Sequence, residues 1–182
     1  MKKKDKEGKT SVWADWLKSL IWAVSIALII RFIFIGNFRI PSSSMYPTLK
    51  IGDRLLSNNI IYKIRPPKRG EVVIFKYPED PKRDFVKRLI GLPGERLQIK
   101  EGSIYINDEK ITDGTIGEIY YYSLGYFEEN EEIQIPKSNY FVLGDNSINS
   151  KDSRYFGFVS SDKMVGKALF IYWPPWRMGF IK

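Results

Sequence analysis

Between Leu17 and Phe38 the chain reads "LKSLIWAVSIALIIRFIFIGNF", an apolar run preceded by the lysine-rich "MKKKDKEGK". No other segment restricts the fold as much, because surface this apolar has to leave water for a core or for a bilayer. At about 1.5 Å per residue, a helix over Leu17 to Ile35 would measure roughly 28 Å, against about 30 Å for the hydrocarbon layer. A transmembrane anchor over residues 17–37 is therefore expected. Arg31 interrupts the run, and a guanidinium at the bilayer centre costs about 2.5–3.5 kcal/mol. The Leu, Ile, Phe and Val residues around it return about 0.3–0.6 kcal/mol each, which outweighs that cost. Arg31 also lies close enough to the end of the run, roughly 6 Å of rise, to snorkel to the interface.

A cleaved secretory signal is the competing reading, since Leu20 to Ile30 has the length of a signal's apolar region. No small-x-small pair follows within a few residues; Ser42 and Ser44 lie beyond bulky residues and after Pro41. An uncleaved anchor is the expectation. Lys2, Lys3, Lys4, Lys6, Lys9 and Lys18 precede the centre of the span, whereas only Arg39, Lys50 and Arg54 follow within twenty residues of Phe38. The positive-inside rule then leaves residues 1–16 as a cytoplasmic basic tail and puts residues 38–182 outside the cell membrane, in a single-pass protein.

The outer part has no long 3.6-residue periodicity. Short runs rich in Val, Ile, Tyr and Phe are bounded instead by Gly, Pro and Asp, so it reads as one β-rich domain. "EVVIFKY" and "DFVKRLIG" flank a proline-rich loop, "RLQIKEGSIYI" alternates about a Glu-Gly turn as a hairpin does, and "YFVLGD" and "KALFIYW" are later buried strands. "SSDKM" could begin a helical turn with a serine cap. The stretch Thr112 to Glu132, with its acidic "EENEE", carries no assignable pattern. The tail "FIYWPPWRMGFI" suits either the membrane interface or the core, with Trp173 and Trp176 open to both readings.

Composition matters for the chemistry. The 182 residues include no cysteine and no histidine, which removes disulfides, thiolate metal sites and the commonest general base. A net charge of +8 would suit nucleic acid, but the cations are scattered and no strongly basic helix appears, so no nucleic-acid partner is expected. "PSSSMYPTLKIGD" nevertheless offers three consecutive serines, and a nucleophilic serine would need a lysine or a carboxylate to take its proton. A lysine of pKa about 10.4 must be stripped of its charge, at a cost of about 4.6 kcal/mol at pH 7, so a base lysine belongs among apolar neighbours. Lys87 fits, interrupting Phe85, Val86, Leu89 and Ile90 in a strand-like run. Alternation puts Phe85 and Lys87 on one face and Val86 and Arg88 on the other, so one cation must point inward or find a partner. "LGDNSINSKDSRYFGFV" adds glycines, small polar residues and a potential Asp152–Arg154 pair.

Together these pieces resemble the bacterial type I signal peptidases, membrane-anchored proteases with a Ser/Lys dyad. "PSSSMYPTL", "GDRLL", "VVIFKYPE" with "FVKRLIGLPGE", and "GDNSINSKDSRYFGFV" occur in the family's order and cover most of residues 38–172. Spacing alone does not choose among Ser42, Ser43 and Ser44. The resemblance implies Ser44 as nucleophile, Lys87 as general base, the Ser42 hydroxyl with the Ser44 N–H as oxyanion hole, and Ser150 as the residue orienting the lysine. It makes Arg88, Asp145, Asp152 and Arg154 site-shaping residues. It maps substrate contacts onto Phe38, Ile40, Pro41, Met45, Leu49, Asp84, Phe85 and Val86, though Phe38 could equally continue the membrane stem. Ser43 stands where many relatives have glycine. The implied fold is a mainly β catalytic domain of signal-peptidase type behind one transmembrane helix. The implied activity is removal of signal peptides after small-x-small sites, with secreted preproteins as partners, the lipid bilayer and transiently the secretion machinery as contacts, and no metal or other cofactor. Two other readings compete: a Ser/Lys protease acting on itself or on one regulatory partner, and an inactive tethered β-domain.

Overall fold

The computed structural model describes residues 12–126 and 131–182, with the side chains of its first helix described over 13–26. That helix, α1, runs Val12–Phe34. Trp13, Trp16, Leu17, Leu20, Ile21 and Trp22 all stand exposed along it. Among the described residues no helix is long and apolar enough to cross a membrane. The basic tail up to residue 11 and the side chains of 27–35, Arg31 among them, lie outside the described residues. The expected anchor is therefore seen here only as a helix.

Strand β1 (Ile35–Arg39) follows directly and pairs antiparallel with β2 (Arg54–Asn58). The sheet thus begins at Ile35, three residues before the boundary expected at Phe38, and Phe38 is a strand residue. Next come β3 (Val72–Tyr77) and β4 (Asp80–Gly91), then the hairpin β5 (Arg96–Lys100) and β6 (Ser103–Ile106) with its short extension β7 (Glu109–Lys110). The turn of that hairpin places Glu101 and Gly102 at φ 47° and 71°, the left-handed conformation expected of its Glu-Gly pair. β8 (Glu132–Gln134), β9 (Asn139–Leu143), β10 (Val159–Ser160), β11 (Met164–Trp173) and β12 (Gly179–Phe180) complete the chain.

Eight strands form one sheet in the order β1-β2-β11-β3-β4-β9-β10 with β12 on β11, and four form a second, β7-β6-β5-β8. Val72 and Ile74 pack into one core with Ile40, Met45, Leu49 and Leu55, while Val73 and Phe75 pack into another with Leu89 and Val142. Being covered on both faces is why β3 reads as an unbroken apolar run rather than an alternating one. The second sheet closes a third core over Leu97, Ile99, Ile104 and Phe141.

Two local expectations change, and one unassigned stretch gains a turn. β4 begins at Asp80, so most of the proline-rich "PEDPKR" belongs to the strand and not to a loop. The ladder absorbs it by an irregularity: Lys76 faces Asp84 but Tyr77 faces Asp80, so Pro81–Arg83 bulge out of register. "SSDKM" does form a 3-10 turn at Ser161–Lys163, but its cap position is Ser160 and no side chain caps it. Within the unassigned stretch Thr112 to Glu132, a helical turn covers Gly114–Glu118, and residues 127–130 lie outside the described residues.

Candidate active site

The end of one strand creates the site. β9 pairs with β4 only from Arg88 onward, with Leu143 opposite Arg88. Beyond Leu143 the chain turns away through Gly144 and Asp145, leaving the 84–87 stretch of β4 without a neighbour on that side among the described residues. An unpaired strand edge exposes N–H and C=O groups that another extended segment can use. The segment after β1, residues 40–49, lies across this opening. It is held by the Ile40 N–H on Asp53 O at 2.9 Å and by the burial of Ile40, Met45 and Leu49 in the core.

This packing brings Lys87 Nζ to 2.6 Å from Ser44 Oγ, a hydrogen bond across 43 residues of sequence. Lys87 is 4% exposed and Ser44 8%. Burial pushes the Lys87 ammonium down from 10.5 to about 8, against the opposing charges of Asp152 and Asp145 and with help from Arg154. Among the three serines, Ser44 is the one on the amine. Ser42 is exposed, with its Oγ 3.3 Å from Ser44 Oγ, and so sits beside any carbonyl that Ser44 would attack.

The loop after β9 locks the serine segment in place. The Asn146 N–H donates to Ser44 O at 3.1 Å and Asn146 Nδ2 donates to Ser43 O at 3.2 Å. At Gly144 a Cβ atom would fall 2.1 Å from Ser150 Oγ and 2.4 Å from Ser44 O, so only glycine lets the two segments approach this closely. Ser150 is buried there, with its Oγ unpartnered among the described residues. It therefore stands next to the dyad without the expected bond to Lys87.

Arg88, on the opposite face from Lys87, is equally buried. Its Nε and Nη2 donate to Asp145 Oδ1 and Oδ2 at 2.8 and 2.6 Å, and Thr48 Oγ1 donates to Asp145 Oδ2 at 2.5 Å. The two inward cations of β4 thus meet the serine segment at two points, one through an amine and one through an ion pair. Asp152 and Arg154 form the second buried pair: Arg154 Nε and Nη2 donate to the carboxylate at 2.8 Å each, and the Gly144 N–H donates to Asp152 Oδ2 at 3.0 Å. Arg154 Nη1 also reaches Tyr122 O and Ser147 Oγ. The four expected site-shaping residues are therefore scaffold for the loop and the serine segment.

A cleft of about 540 Å³ opens along the free edge of β4. Phe38, Ile40, Pro41, Met45, Phe85 and Val86 line its apolar part, and Asp84 stands on its rim, paired with Lys76 at 2.9 Å. Leu49 is a correction: it is fully buried with Leu55 and Val72 and is not among the lining residues, because its side chain anchors the serine segment from below. Thr48 and Asn146 were missed in the sequence. Asn146 had a signal, an amide in a Gly-Asp-Asn turn, but its targets lie a hundred residues away. Arg83 and Lys151, on the cleft wall, gave no signal.

A buried hydroxyl–amine pair beside an open strand edge is the equipment of a serine hydrolase that acts on extended peptides. A family model described as "Signal peptidase, peptidase S26" matches residues 13–173. A probable signal peptidase I-2 of Synechocystis is 38% identical over 98% of this chain and 82% of its own length, and signal peptidase I T of Bacillus subtilis is 37% identical over 91% and 88%. Signal peptidase I of Pseudomonas aeruginosa is 32% identical over 94% of this chain and 76% of its own length. The chain belongs to the signal peptidase family and is a serine endopeptidase of the signal peptidase I type.

Proposed function

We propose that this chain removes N-terminal signal peptides from exported preproteins with Ser44 as nucleophile and Lys87 as general base. The 2.6 Å contact between a buried amine and a buried hydroxyl carries the reading. With the amine neutral, the Ser44 hydroxyl donates its proton to Nζ as Oγ attacks the scissile carbonyl. Charge then developing on the carbonyl oxygen is met by the Ser44 N–H and the Ser42 hydroxyl, and the lysine ammonium passes its proton to the departing amine. Water, deprotonated by the same amine, hydrolyses the acyl-enzyme. In this mechanism Ser150 would orient the lysine amine through a hydrogen bond that its buried hydroxyl does not make among the described residues.

Because burial leaves the amine half-neutral at about 8, kcat/KM should climb tenfold per pH unit below that value and level off above it. A preprotein assay over pH 6–10 checks this, with Ser44→Ala as the inert control. A flat profile, or a cutting Ser44→Ala, would remove the dyad from the mechanism.

Binding as a strand on the free edge of β4 turns alternate substrate side chains inward, toward Ile40, Met45, Phe85 and Val86. These bulky walls favour small residues at the first and third positions before the cut. Replacing a third-position Ala by Leu should overpack the pocket by about 1–3 kcal/mol, a loss of roughly 5- to 160-fold in kcat/KM. Equal cleavage of the two peptides would place the pocket elsewhere.

The anchor belongs to the same proposal: residues 1–16 in the cytoplasm, 17–37 across the bacterial cell membrane, and the catalytic domain outside, where transient contact with the secretion machinery would deliver substrates. Two observations support it. The described face of α1 leaves Trp16, Leu17, Leu20 and Ile21 in the open, a surface that a bilayer would bury. Trp176 and Phe180, 82% and 81% exposed, are available to the interface and are not core.

A further inference from the structure

The cleft also carries charge that the dyad and the apolar pockets do not use. Arg39, Arg83 and Lys151 line it together with Asp84 and Lys87. Asp84 is taken by Lys76 at 2.9 Å, and Lys151 leans on Glu79 at 2.9 Å with both partners about half exposed. Among the described residues Arg83 has no carboxylate partner.

The sheet itself aims Arg83. It ends the Pro81–Arg83 bulge, and bulges redirect side chains next to sites. Pro81, lacking an N–H, leaves no donor stranded there. Tyr77 and Phe85 stack at 4.3 Å with 5° between their planes, and Arg83 Cζ lies 5.9 Å and 5.4 Å from their centroids. Lys151 Nζ lies 5.1 Å from the Tyr77 ring. A guanidinium resting on an aromatic plate is pre-organised and loses less freedom on pairing than a free side chain would. Lys87 Nζ is 5.5 Å from the centroid of the same Phe85. Sharing one ring keeps the guanidinium within about three extended residues, at ~3.3 Å each, of the reacting amine.

We infer that Arg83, with Lys151 beside it, selects substrates that carry an aspartate or glutamate next to the scissile bond. The side chain concerned is one that strand alternation turns out of the apolar pockets: the second before the cut or the first after it. This rests on the peptidase reading above and adds a charge preference to it. Stacking accounts for where Arg83 sits; a guanidinium without a carboxylate on the wall of a peptide cleft points to a carboxylate brought by the peptide. Lysine at the same position meets two cations and is disfavoured.

The test uses the full chain in detergent micelles and peptides that differ only in Ala, Asp or Lys at each of the two positions. The readout is the Asp-to-Lys ratio of kcat/KM, so that changes in overall activity cancel. At low salt the ratio should be about three- to twenty-fold at one position, as for an exposed ion pair plus the matching repulsion. It should collapse toward one at 1 M salt, where the Debye length is about 3 Å. Arg83→Glu with Lys151→Glu should invert it, and Arg83→Gln alone should reduce it. Competition of the same peptides for the Ser44→Ala protein gives the ratio by binding if a variant turns over poorly. A wild-type ratio near one, or one that both charge reversals leave unchanged, overturns the inference while the Ala peptide is still cut. An uncut Ala peptide overturns the peptidase reading instead.

Discussion

Lys87→Met is expected to lose at least about a thousandfold in kcat/KM and, at pH 7, to melt higher than the wild type. In the mechanism proposed above Lys87 is the general base of a pair that works as a unit, and the activity loss follows from removing it. The stability gain follows from what burial does to the amine. Its folded-state pKa near 8 lies below the ordinary 10.5, so the unfolded chain holds the proton more tightly than the folded one. A depressed lysine therefore costs stability in full below pH 8, and the cost fades as pH rises from 8 to about 10.5. A difference of that size is worth about 3 kcal/mol. Methionine keeps an unbranched chain in the same space, and what it loses is the bond to Ser44 Oγ and the contact of the cation with the Phe85 ring. At about 2–8 °C per kcal/mol, the melting temperature should rise by about 5 °C or more at pH 7, with the gap closing toward pH 10.5. Calorimetry at three pH values would show it. A variant that melts at or below the wild type at pH 7 would mean the amine is solvated, and a solvated lysine makes a poor base.

Asp145→Asn should act in the opposite sense, with a large loss of stability and a secondary loss of activity. Arg88 and Asp145 are 1% and 5% exposed, and the carboxylate also accepts from Thr48. Removing that charge leaves a buried guanidinium without the carboxylate that pairs with it, which costs about 3–5 kcal/mol. That is a large part of the roughly 5–15 kcal/mol that holds an ordinary domain together. Because Thr48 follows Ser44 by only four residues, loosening it should also blur the position of the nucleophile. Urea titration of Asp145→Asn and of a double variant, Arg88→Met with Asp145→Leu, separates the causes. The double variant, which removes both charges, should recover most of the loss. If it is as unstable as Asp145→Asn, packing volume and not the stranded charge is responsible.

How much of this could be read beforehand depended on the range of each interaction. The unbroken apolar run of β3, the alternation through β5 and β6 and the opposed faces of Lys87 and Arg88 are set by neighbouring residues, and all were legible. Pro81 misled, since a proline suggests a loop and here it occupies a bulge where no N–H is needed. Leu49 misled as well: an apolar residue close to a nucleophile could line a pocket or support the segment, and only the packing of Leu55 and Val72 against it decided for support.

The catalytic constellation divides along the same line. Sequence alone established that no histidine or thiol could serve and that a lysine among apolar neighbours was available, and the resemblance implied which serine to pair with it. Tertiary structure alone decided that β9 stops opposite Arg88 and so leaves an edge for a peptide. It also brought the amine and the hydroxyl together and turned Arg83 toward the cleft. The reason is physical: a side chain's face is fixed by its own strand, but its solvation and its partners are fixed by segments forty to a hundred residues away, whose arrival no local pattern records.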